Sequence, residues 1–403
     1  MKTTKFKPSE VGPIPVDWEV KRLRDVCDKI RNGYGYDFRE HGTYPMSRIE
    51  TISSGEINYS RVALIEDEPP PEYRLRPGDI LYSHINSLPY IGNIAQYDGS
   101  GCLYHGMNLL LVRPTNTVDS VYLKYILKSE PMRNLARSAA KVAINQASIS
   151  TKELAQFQIV LPPRPEQEKI AEALSDVDAL LAAMTKLIEK KRAIKQGAMQ
   201  QLLTGKKRLA GFIGPWVEKR ICDIGQVVTG ATPPRNSDSN WTGNFPWISA
   251  KDFKGKYIWD SEEHISDSGR MFCRILPANS VLVTCIASIG LNAISKVSCA
   301  TNQQINAVVC KTWDTEFFYY QICRMCEDLK QIAGQTAVPI IGKSQFEQMS
   351  ISGPSDFAEQ KAIAEVLSDM DAEIAALEAK RAKYESIKQG MMQELLTGKT
   401  RLA

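Results

Sequence analysis

The stretch EQEKIAEALSDVDALLAAMTKLIEKKRAIKQGAMQQLLTGKKRL, residues 166–209, decides the architecture of this chain. It returns at residues 359–402 as EQKAIAEVLSDMDAEIAALEAKRAKYESIKQGMMQELLTGKTRL, and more than half of the aligned positions are identical. A repeat of this length at one constant offset indicates that the chain consists of two related halves.

Each copy has the apolar spacing of a long helix. Apolar residues alternate in steps of four and three, which makes a stripe narrow enough to pack against one partner helix. The stripe residues are Ile170, Leu174, Val177, Leu181, Met184 and Ile188 in the first copy, and Ile363, Leu367, Met370, Ile374 and Leu377 in the second. We expect the two stripes to bury each other. Two amphipathic helices on separate cores are the alternative.

Residues at the ends of the two copies fit helix boundaries. Pro165 and the pair Ser355–Asp356 suit helix starts, while Gly205 and Gly398 suit left-handed C-terminal caps. A helix of about 39 residues between such ends would be about 58 Å long. That length exceeds what one small globular domain needs.

The composition predicts a globular protein with more than one domain. The chain has 403 residues, and its formal net charge of +4 permits nucleic-acid binding without requiring it. Nine cysteines at irregular spacings indicate reduced thiols, as in a cytoplasmic protein. No apolar run approaches the ~20 residues of a membrane span, and no hydrophobic segment follows the basic N-terminus. We therefore expect a cytoplasmic protein without a membrane segment.

The segments before the two helices also correspond, although weakly. RPGDILYSHINS at residues 76–87 parallels LPANSVLVTCIAS at residues 276–288, and both have the composition of strands after a turn. Short helices are predicted near residues 119–129 and 314–330. We place a first domain at residues 1–161, a long helix at 162–210, a second domain at 211–353 and a second long helix at 354–403.

Several motifs together resemble one known family. They are GPIPVDW at residues 12–18, LPPRPEQEKIAEALSDVD at 161–178, EQKAIAEVLSDMD at 359–371 and the two LLTGK endings. The stretch VTGATPPRNSDSNWTGNFPWISAKDF, residues 228–253, resembles the opening of a target-recognition domain. This order of parts is similar to that of a type I restriction-modification specificity subunit. The first domain opens differently, with IRNGYGYDFREHGTYPM at residues 30–46.

The resemblance implies a fold, a function and partners. The expected fold class is α/β (α+β), with two pseudo-two-fold-related mixed α/β target-recognition domains separated by two long antiparallel coiled-coil helices. Each domain would read one half of a split double-stranded DNA target. The chain itself would be non-catalytic and need no cofactor. Modification subunits would methylate adenine with S-adenosylmethionine, and restriction (motor) subunits would use ATP and Mg.

Candidate DNA contacts are basic, amide and aromatic residues in loops and at strand ends. Arg and Lys neutralise phosphates, while Arg, Asn and Gln can also read base edges. Arg133, Arg137 and Lys141 recur every four residues, which predicts a basic helix face. The first-domain candidates are Arg31, Tyr34, Tyr36, Arg39, Ser83, His84, Asn86, Arg133, Arg137 and Lys141. The second-domain candidates are Arg235, Asn240, Trp241, Lys251, Lys254, Asn302, Gln303 and Lys343. For any single residue, a solvated surface side chain is the alternative.

Two motifs suggest other chemistry, but their surroundings argue against it. AVPIIGKS at residues 337–344 differs from a P-loop in its first residue, and Pro339 and two isoleucines occupy the positions that should bring backbone N–H groups to phosphates. Cys323 and Cys326 form a single CxxC without a second ligand pair, so helix packing is favoured over zinc binding. The four histidines show no pairing with a nucleophile.

Two rival functions remain at this stage. A coiled-coil scaffold whose globular ends bind other proteins would show no affinity for DNA. An ATPase using residues 337–344 would bind nucleotide as the purified chain alone.

Overall fold

The computed structural model describes residues 5–37, 42–144, 146–332 and 339–402. Its internal contacts divide the chain into two units. The first unit comprises residues 1–184 and 380–403, and the second comprises residues 185–379. Each unit therefore contains one globular domain and one end of each long helix.

The first domain alternates short strands and helices. In chain order these are β1 (Phe6–Lys7), β2 (Ile14–Pro15), β3 (Glu19–Arg22), α1 (Leu23–Val26), β4 (Cys27–Asn32), β5 (Tyr44–Met46), β6 (Ala63–Ile65), β7 (Ile80–Tyr82), β8 (Ile85–Asn86), β9 (Ile94–Gln96), β10 (Leu110–Pro114), α2 (Ser120–Lys128), α3 (Glu130–Ala139), β11 (Lys141–Ala143), β12 (Gln146–Ser148), α4 (Thr151–Ala155) and β13 (Gln158–Leu161). The long helix α5 (Arg164–Leu202) follows directly.

The second domain has a similar order of elements. They are β14 (Trp216–Arg220), α6 (Ile221–Ile224), β15 (Gly225–Thr229), β16 (Phe245–Ile248), β17 (Tyr257–Ile258), β18 (Glu263–Ile265), α7 (Asp267–Arg270), β19 (Val281–Thr284), β20 (Asn292–Ser295), β21 (Ala300–Thr301), β22 (Ile305–Cys310), α8 (Thr315–Arg324), α9 (Cys326–Ile332), α10 (Lys343–Glu347) and β23 (Ser350–Pro354). The second long helix is α11 (Phe357–Leu395).

A central antiparallel sheet organises the first domain. Its strand order is β4-β10-β7-β9, and α2 packs against it with Tyr122, Leu123 and Ile126 buried in the same core. A smaller sheet, β11-β12-β8, extends from the turn that follows β7. β13 pairs with β3, so the end of the domain returns to its beginning just before α5.

The second domain repeats this plan with additions. Its central sheet has the order β15-β22-β19-β20-β17, in which β17 runs parallel to β20 and the other pairs are antiparallel. A second sheet, β18-β16-β21, carries Phe245 and Trp247, and Trp241 packs against the same small cluster. β14 pairs with β23, as β3 pairs with β13 in the first domain.

The long helices pair within each unit. In the first unit, Ile170 and Leu174 near the start of α5 share a core with Leu395 at the end of α11. In the second unit, Leu202 at the end of α5 shares a core with Ile363 near the start of α11. The start of one helix thus meets the end of the other, which confirms the predicted antiparallel pairing. Eight of the eleven stripe residues are buried, and Val177, Met370 and Leu377 are half-buried.

The predicted helix ends are also confirmed. The Asp356 carboxylate accepts a hydrogen bond from the Ala358 N–H at 2.8 Å at the start of α11. Gly205 and Gly398 have φ angles of +70° and +68°, which only glycine adopts readily. Both follow the last helical turn, as a left-handed cap requires.

A repeated ion pair ties the end of each long helix to the start of the other. In the first unit, Arg401 bonds to both Asp17 and the buried Glu166, with its Nε 2.7 Å from a Glu166 oxygen. In the second unit, Arg208 forms the same two-bond pair with the buried Glu359. A buried carboxylate is costly unless a positive charge pairs with it. Each glutamate therefore fixes its arginine, and with it the chain segment that follows the helix.

Two sequence-based helices differ from the structure. Lys141 lies in β11 and not on a continuation of α3, because Ala140 is extended (φ −71°, ψ 133°) and ends that helix. The predicted helix near residues 314–330 is divided into α8 and α9 at Met325. In the described part of the chain, no helix is both long and apolar enough to cross a bilayer.

Candidate nucleic-acid interface

The segment after β4 brings together three of the first-domain candidates. The Arg31 guanidinium lies 3.9 Å from the centre of the Tyr73 ring, and Tyr34 meets the same ring edge-on at 5.1 Å. Tyr36 is half-buried, and burial raises the pKa of its hydroxyl. Arg39 lies outside the described residues. This arrangement holds Arg31 by a cation–π contact near the end of β4, an edge strand of the central sheet.

The turn between β7 and β8 buries two of the three candidates that follow β7. Ser83 and His84 are buried, and the Ser83 hydroxyl accepts a hydrogen bond from the Asn86 amide at 3.1 Å. Burial lowers the pKa of His84 to about 4, so the ring is neutral at pH 7. Of these three candidates, only Asn86 is half-exposed, and the Ser83 hydroxyl holds its side-chain amide.

The basic residues of α3 are engaged within the domain. Arg133 donates to the Asn93 side chain at 3.0 Å, and Arg137 donates to Glu130 at 3.2 Å and to Asn134 at 3.1 Å. A guanidinium that already has partners must exchange them to bind a phosphate. α3 therefore carries Arg133 and Arg137 of the predicted basic face, without Lys141.

A hairpin formed by β11 and β12 was not expected from the sequence. Lys141 pairs with Ser148, Val142 with Ala147, and Ala143 with Gln146. The side chain of Lys141 is 80% exposed. The pattern KVAINQAS contains β-branched residues flanking a possible turn, which could have signalled a hairpin. Its exposed polar and apolar residues adjoin the Asn86 strand, because β12 also pairs with β8.

An open groove lies between this hairpin and the segment after β4. It is lined by Asn32, Gly33, His84, Ile85, Met107, Asn108, Lys141 and residues 148–153. Three of the sequence-predicted regions of the first domain therefore meet at one surface. They are the segment after β4, the turn after β7 and the vicinity of Lys141.

In the second domain, aromatic rings position one arginine. The Arg235 guanidinium lies 3.7 Å from the Trp241 ring centre and 5.1 Å from that of Trp247. It also pairs with Glu263, with one N···O distance of 3.0 Å, and this hydrogen bond raises the arginine pKa. The two indole rings meet edge-on at 5.0 Å. Stacking and pairing together fix the direction of Arg235 on the domain surface.

Asn240 supports this cluster from inside. It is buried, and its side-chain amide donates to the Pro234 carbonyl at 3.2 Å. The Trp241 indole N–H donates to the same carbonyl at 3.2 Å. Asn240 and Trp241 thus shape the loop that carries Arg235. Of the three residues, only Arg235 is exposed.

The remaining second-domain candidates divide into exposed and buried residues. Lys251 and Gln303 are exposed, whereas Asn302 is buried and accepts a hydrogen bond from the Gln304 N–H at 3.0 Å. Lys254 pairs with Glu262 at 2.9 Å, and Lys343 pairs with Glu347 at 3.3 Å. These are surface ion pairs, which contribute little to stability.

The described part of the P-loop-like segment is used for packing. The Ile341 N–H donates to the Cys285 carbonyl at 2.8 Å, and the Pro339 carbonyl accepts from the Ala287 N–H at 3.1 Å. A P-loop must instead keep such N–H groups free for phosphates. Residues 337 and 338 lie outside the described part of the chain.

Cys323 and Cys326 also contact protein groups. The Cys323 thiol lies 3.5 Å from the Asn292 side-chain oxygen, and the Cys326 thiol lies 3.6 Å from the Gly290 carbonyl. Within residues 5–37, 42–144, 146–332 and 339–402, no group of three or more His, Cys, Asp or Glu side chains could hold a metal ion.

Comparisons with known proteins agree with the repeated architecture. The family model described as "Type I restriction modification DNA specificity domain" matches residues 15–195 and again residues 213–388. The chain is 31% identical to the MjaX type I restriction enzyme specificity subunit of Methanocaldococcus jannaschii, over 100% of this chain and 98% of that protein.

Two solved structures share the fold. The type I restriction-modification S subunit from M. genitalium is 14% identical with a TM-score of 0.62, and the match covers 98% of each chain. A chain from a structural study of type I R-M complex assembly and conformational transition is 18% identical with a TM-score of 0.58, covering 96% of this chain and 99% of that one. The family model covers nearly the whole chain in two copies, and one relative matches it from end to end. The chain therefore belongs to the family of type I restriction-modification DNA specificity proteins.

Proposed function

We propose that this chain is the DNA specificity subunit of a type I restriction-modification complex. The observation that carries this proposal is the end-to-end similarity to a specificity subunit, with one family domain in each half. The chain serves as a non-catalytic recognition subunit. The first domain reads one half-site of a bipartite DNA target, the second domain reads the other, and the long helices set the spacer between them.

The organisation of each domain supports independent reading. The first domain has its own core around Trp18, Tyr82 and Tyr122, and the second has its own around Phe317, Phe318 and Phe346. Each also carries its own candidate contacts at strand ends and loops. A separate core lets one domain change its loops without disturbing the other.

The partners proposed for the chain follow from its family. Modification subunits would bring S-adenosylmethionine and methylate adenine at both half-sites, while restriction subunits would bring ATP and Mg and cleave DNA. The chain itself would bind no cofactor. We expect the chain alone to be poorly soluble or to bind DNA weakly, and co-expression with the modification subunit to yield a complex. A well-behaved single chain that binds its target tightly would contradict this division of labour.

Modified-base sequencing of the host genome, with and without the gene, tests the proposal most directly. We expect one bipartite motif to lose its methylation when the gene is deleted. A scaffold protein, the rival function, would leave every methylated motif unchanged and would show no DNA affinity with or without partners. The ATPase rival would show nucleotide binding by the chain alone.

Domain exchange tests whether each domain reads its own half-site. Replacing residues 211–353 with the equivalent part of a relative should change one half of the methylated motif and leave the other half unchanged, because the first domain keeps its core and loops. The matched control exchanges residues 1–161 and should change the opposite half. A change in both halves, or in neither, would show that the domains do not read DNA independently.

A further inference from the structure

The β11–β12 hairpin exposes apolar side chains at its tip. Val142 is 67% exposed and Ile144, which follows β11, is 95% exposed. By contrast Ala147, the cross-strand partner of Val142, is buried against the domain core. β11 is also the edge strand of its sheet, and all three of its residues are exposed. An exposed strand edge with apolar side chains tends to associate with other molecules. We therefore expect this edge to bind a partner.

The surroundings of the hairpin are polar and carry basic side chains. Lys141 opens β11, and Lys152 is exposed at the start of the neighbouring α4. Glu153 lies 3.7 Å from the Lys141 amine, and its carboxylate also accepts a hydrogen bond from the Ser150 N–H at 2.8 Å. Lys141 thus remains largely available to an anionic partner. A partner that combines phosphates with an accessible apolar group fits this surface.

The hairpin is continuous with the candidate nucleic-acid interface. β12 pairs with β8, which contains Asn86, and Lys141 and Ser148 line the same groove as Asn32. The hairpin's exposed residues therefore extend the surface on which three sequence-predicted regions meet. Double-stranded DNA bound there would also reach the hairpin.

The size of the hairpin matches the major groove. B-DNA's major groove is about 12 Å wide and about 8.5 Å deep, and it admits a two-stranded β-ribbon. Two paired strands lie about 4.8 Å apart, and three residues along a strand span about 10 Å. Such a ribbon can carry its tip residues to the base edges while its base stays near the phosphates.

The exposed side chains also match the major-groove chemistry of an A·T type of base pair. Thymine presents a 5-methyl group in the major groove, where apolar side chains contact it. Adenine presents N6 and N7, which a glutamine amide can bind with two hydrogen bonds. Ile144 and Val142 provide the apolar contact, and Gln146, exposed opposite Ala143, provides the amide.

We propose that the β11–β12 hairpin enters the major groove of the first half-site and reads A·T pairs, with Ile144 and Val142 against thymine methyl groups and Gln146 on adenine. This inference rests on the proposed function, because it requires the chain to bind DNA. It specifies which element of the first domain reads DNA, which groove that element enters and which kind of base pair it recognises.

Removing single thymine methyl groups tests the contact. The complex of this chain with its modification subunits is titrated with duplexes that carry its mapped target, in which each thymine of the first half-site is replaced in turn by 2′-deoxyuridine. The wild-type complex should lose about fourfold in affinity at one or two positions, the loss expected for one buried methyl group. In the Ile144→Ala complex, deoxyuridine at the same position should cause less than a twofold further loss.

Two further variants complete the test. Gln146→Ala should weaken binding by about tenfold and relax the preference for adenine at one position of the first half-site. Ile213→Ala is the matched control, because Ile213 is 97% exposed but lies between α5 and β14, far along the chain from the hairpin. It should leave affinity and the deoxyuridine response unchanged. All three residues are exposed, so folding should be preserved, and thermal unfolding of each variant checks this.

The results separate this inference from the proposed function. If the wild-type complex binds its mapped target and no deoxyuridine substitution in the first half-site changes affinity by twofold, the hairpin inference is overturned and the proposed function stands. Equal deoxyuridine effects in the wild-type and Ile144→Ala complexes would overturn it as well. If the complex bound no specific DNA sequence at all, both the hairpin inference and the proposed function would be overturned.

Discussion

At the scale of single residues, the two described histidines of the first domain are unusual because the fold keeps them neutral. His84 and His105 are buried, and burial lowers the pKa of each ring to about 4. His105 Nε2 lies 3.0 Å from the Leu109 carbonyl, while neither Nδ1 has a partner among the described residues. The sequence showed isolated histidines, but it could not show that the turn after β7 and the segment before β10 would bury the two rings.

These histidines predict a loss of stability in mild acid. In the unfolded chain they take up protons near pH 6.5, whereas in the folded chain they do so only near pH 4. Between these values the unfolded state binds more protons, so stability falls as the pH is lowered. The effect approaches about 3 kcal/mol for each ring at its limit. Urea unfolding at pH 7, 5.5 and 4.5 should show it, and His84→Gln with His105→Gln should reduce the slope.

The control for this pH effect lies in the second domain. His264 is the histidine of residues 185–379, and its ring bonds to Asp260 at 2.8 Å near the surface. His264→Gln should leave the acid dependence nearly unchanged. The explanation fails if the doubly substituted chain loses stability with falling pH as steeply as the wild type does.

At the scale of secondary-structure elements, periodic patterns were predictable and short elements were not. The long helices were read from an apolar repeat sustained over many turns, and their caps from glycines placed just beyond it. The hairpin at residues 141–148 was missed because Lys141 also fitted a four-residue basic spacing with Arg133 and Arg137. One extended residue, Ala140, separates α3 from β11. The strands that follow it pair with each other and, through β12, with β8, which is distant in the sequence.

The glycines of the second long helix should respond in opposite directions to the same substitution. Gly390 lies inside α11 with open space around an added Cβ, so Gly390→Ala should stabilise the helix by about 0.5–1 kcal/mol. Gly398 has φ +68°, and an added Cβ would lie 2.4 Å from the Pro15 ring. Gly398→Ala should therefore destabilise the first unit by about 1–3 kcal/mol. Chemical unfolding of both variants measures the difference.

The first long helix repeats this comparison. Gly197 is interior to α5 with no atom near an added Cβ, whereas Gly205 has φ +70° and a Cβ there would lie 3.0 Å from the Trp216 ring. The same opposite signs are expected in the second unit. If alanine at Gly398 and at Gly205 were as harmless as at Gly390 and Gly197, the left-handed caps would not define the helix ends.

At the scale of the whole molecule, the two halves share the contacts that join each domain to the long helices. Both halves keep the arginine–glutamate pair at the helix ends, Arg401 with Glu166 and Arg208 with Glu359. Both also join a domain tyrosine to a helix aspartate, Tyr125 to Asp178 and Tyr320 to Asp371, each at 2.7 Å.

The loops that carry the candidate contacts share little between the halves. The repeat therefore made the two-domain architecture and its long helices predictable from the sequence. The base-reading residues were not predictable, because loops of one frame can present many different side chains.

The last prediction concerns the spacer between the two half-sites. Each long helix has 39 residues and is about 58 Å long, and half-sites on one face of a duplex lie about 34 Å apart or at multiples of that distance. One heptad inserted after Thr185 and another after Glu378 keeps the apolar stripes in phase and adds about 10 Å to each helix. Both half-sequences should stay the same, because no loop changes within its domain. The unspecified spacer should grow by about one to three base pairs. Methylation mapping of the variant decides the matter, since an active complex with the original spacer would show that the helices do not set it.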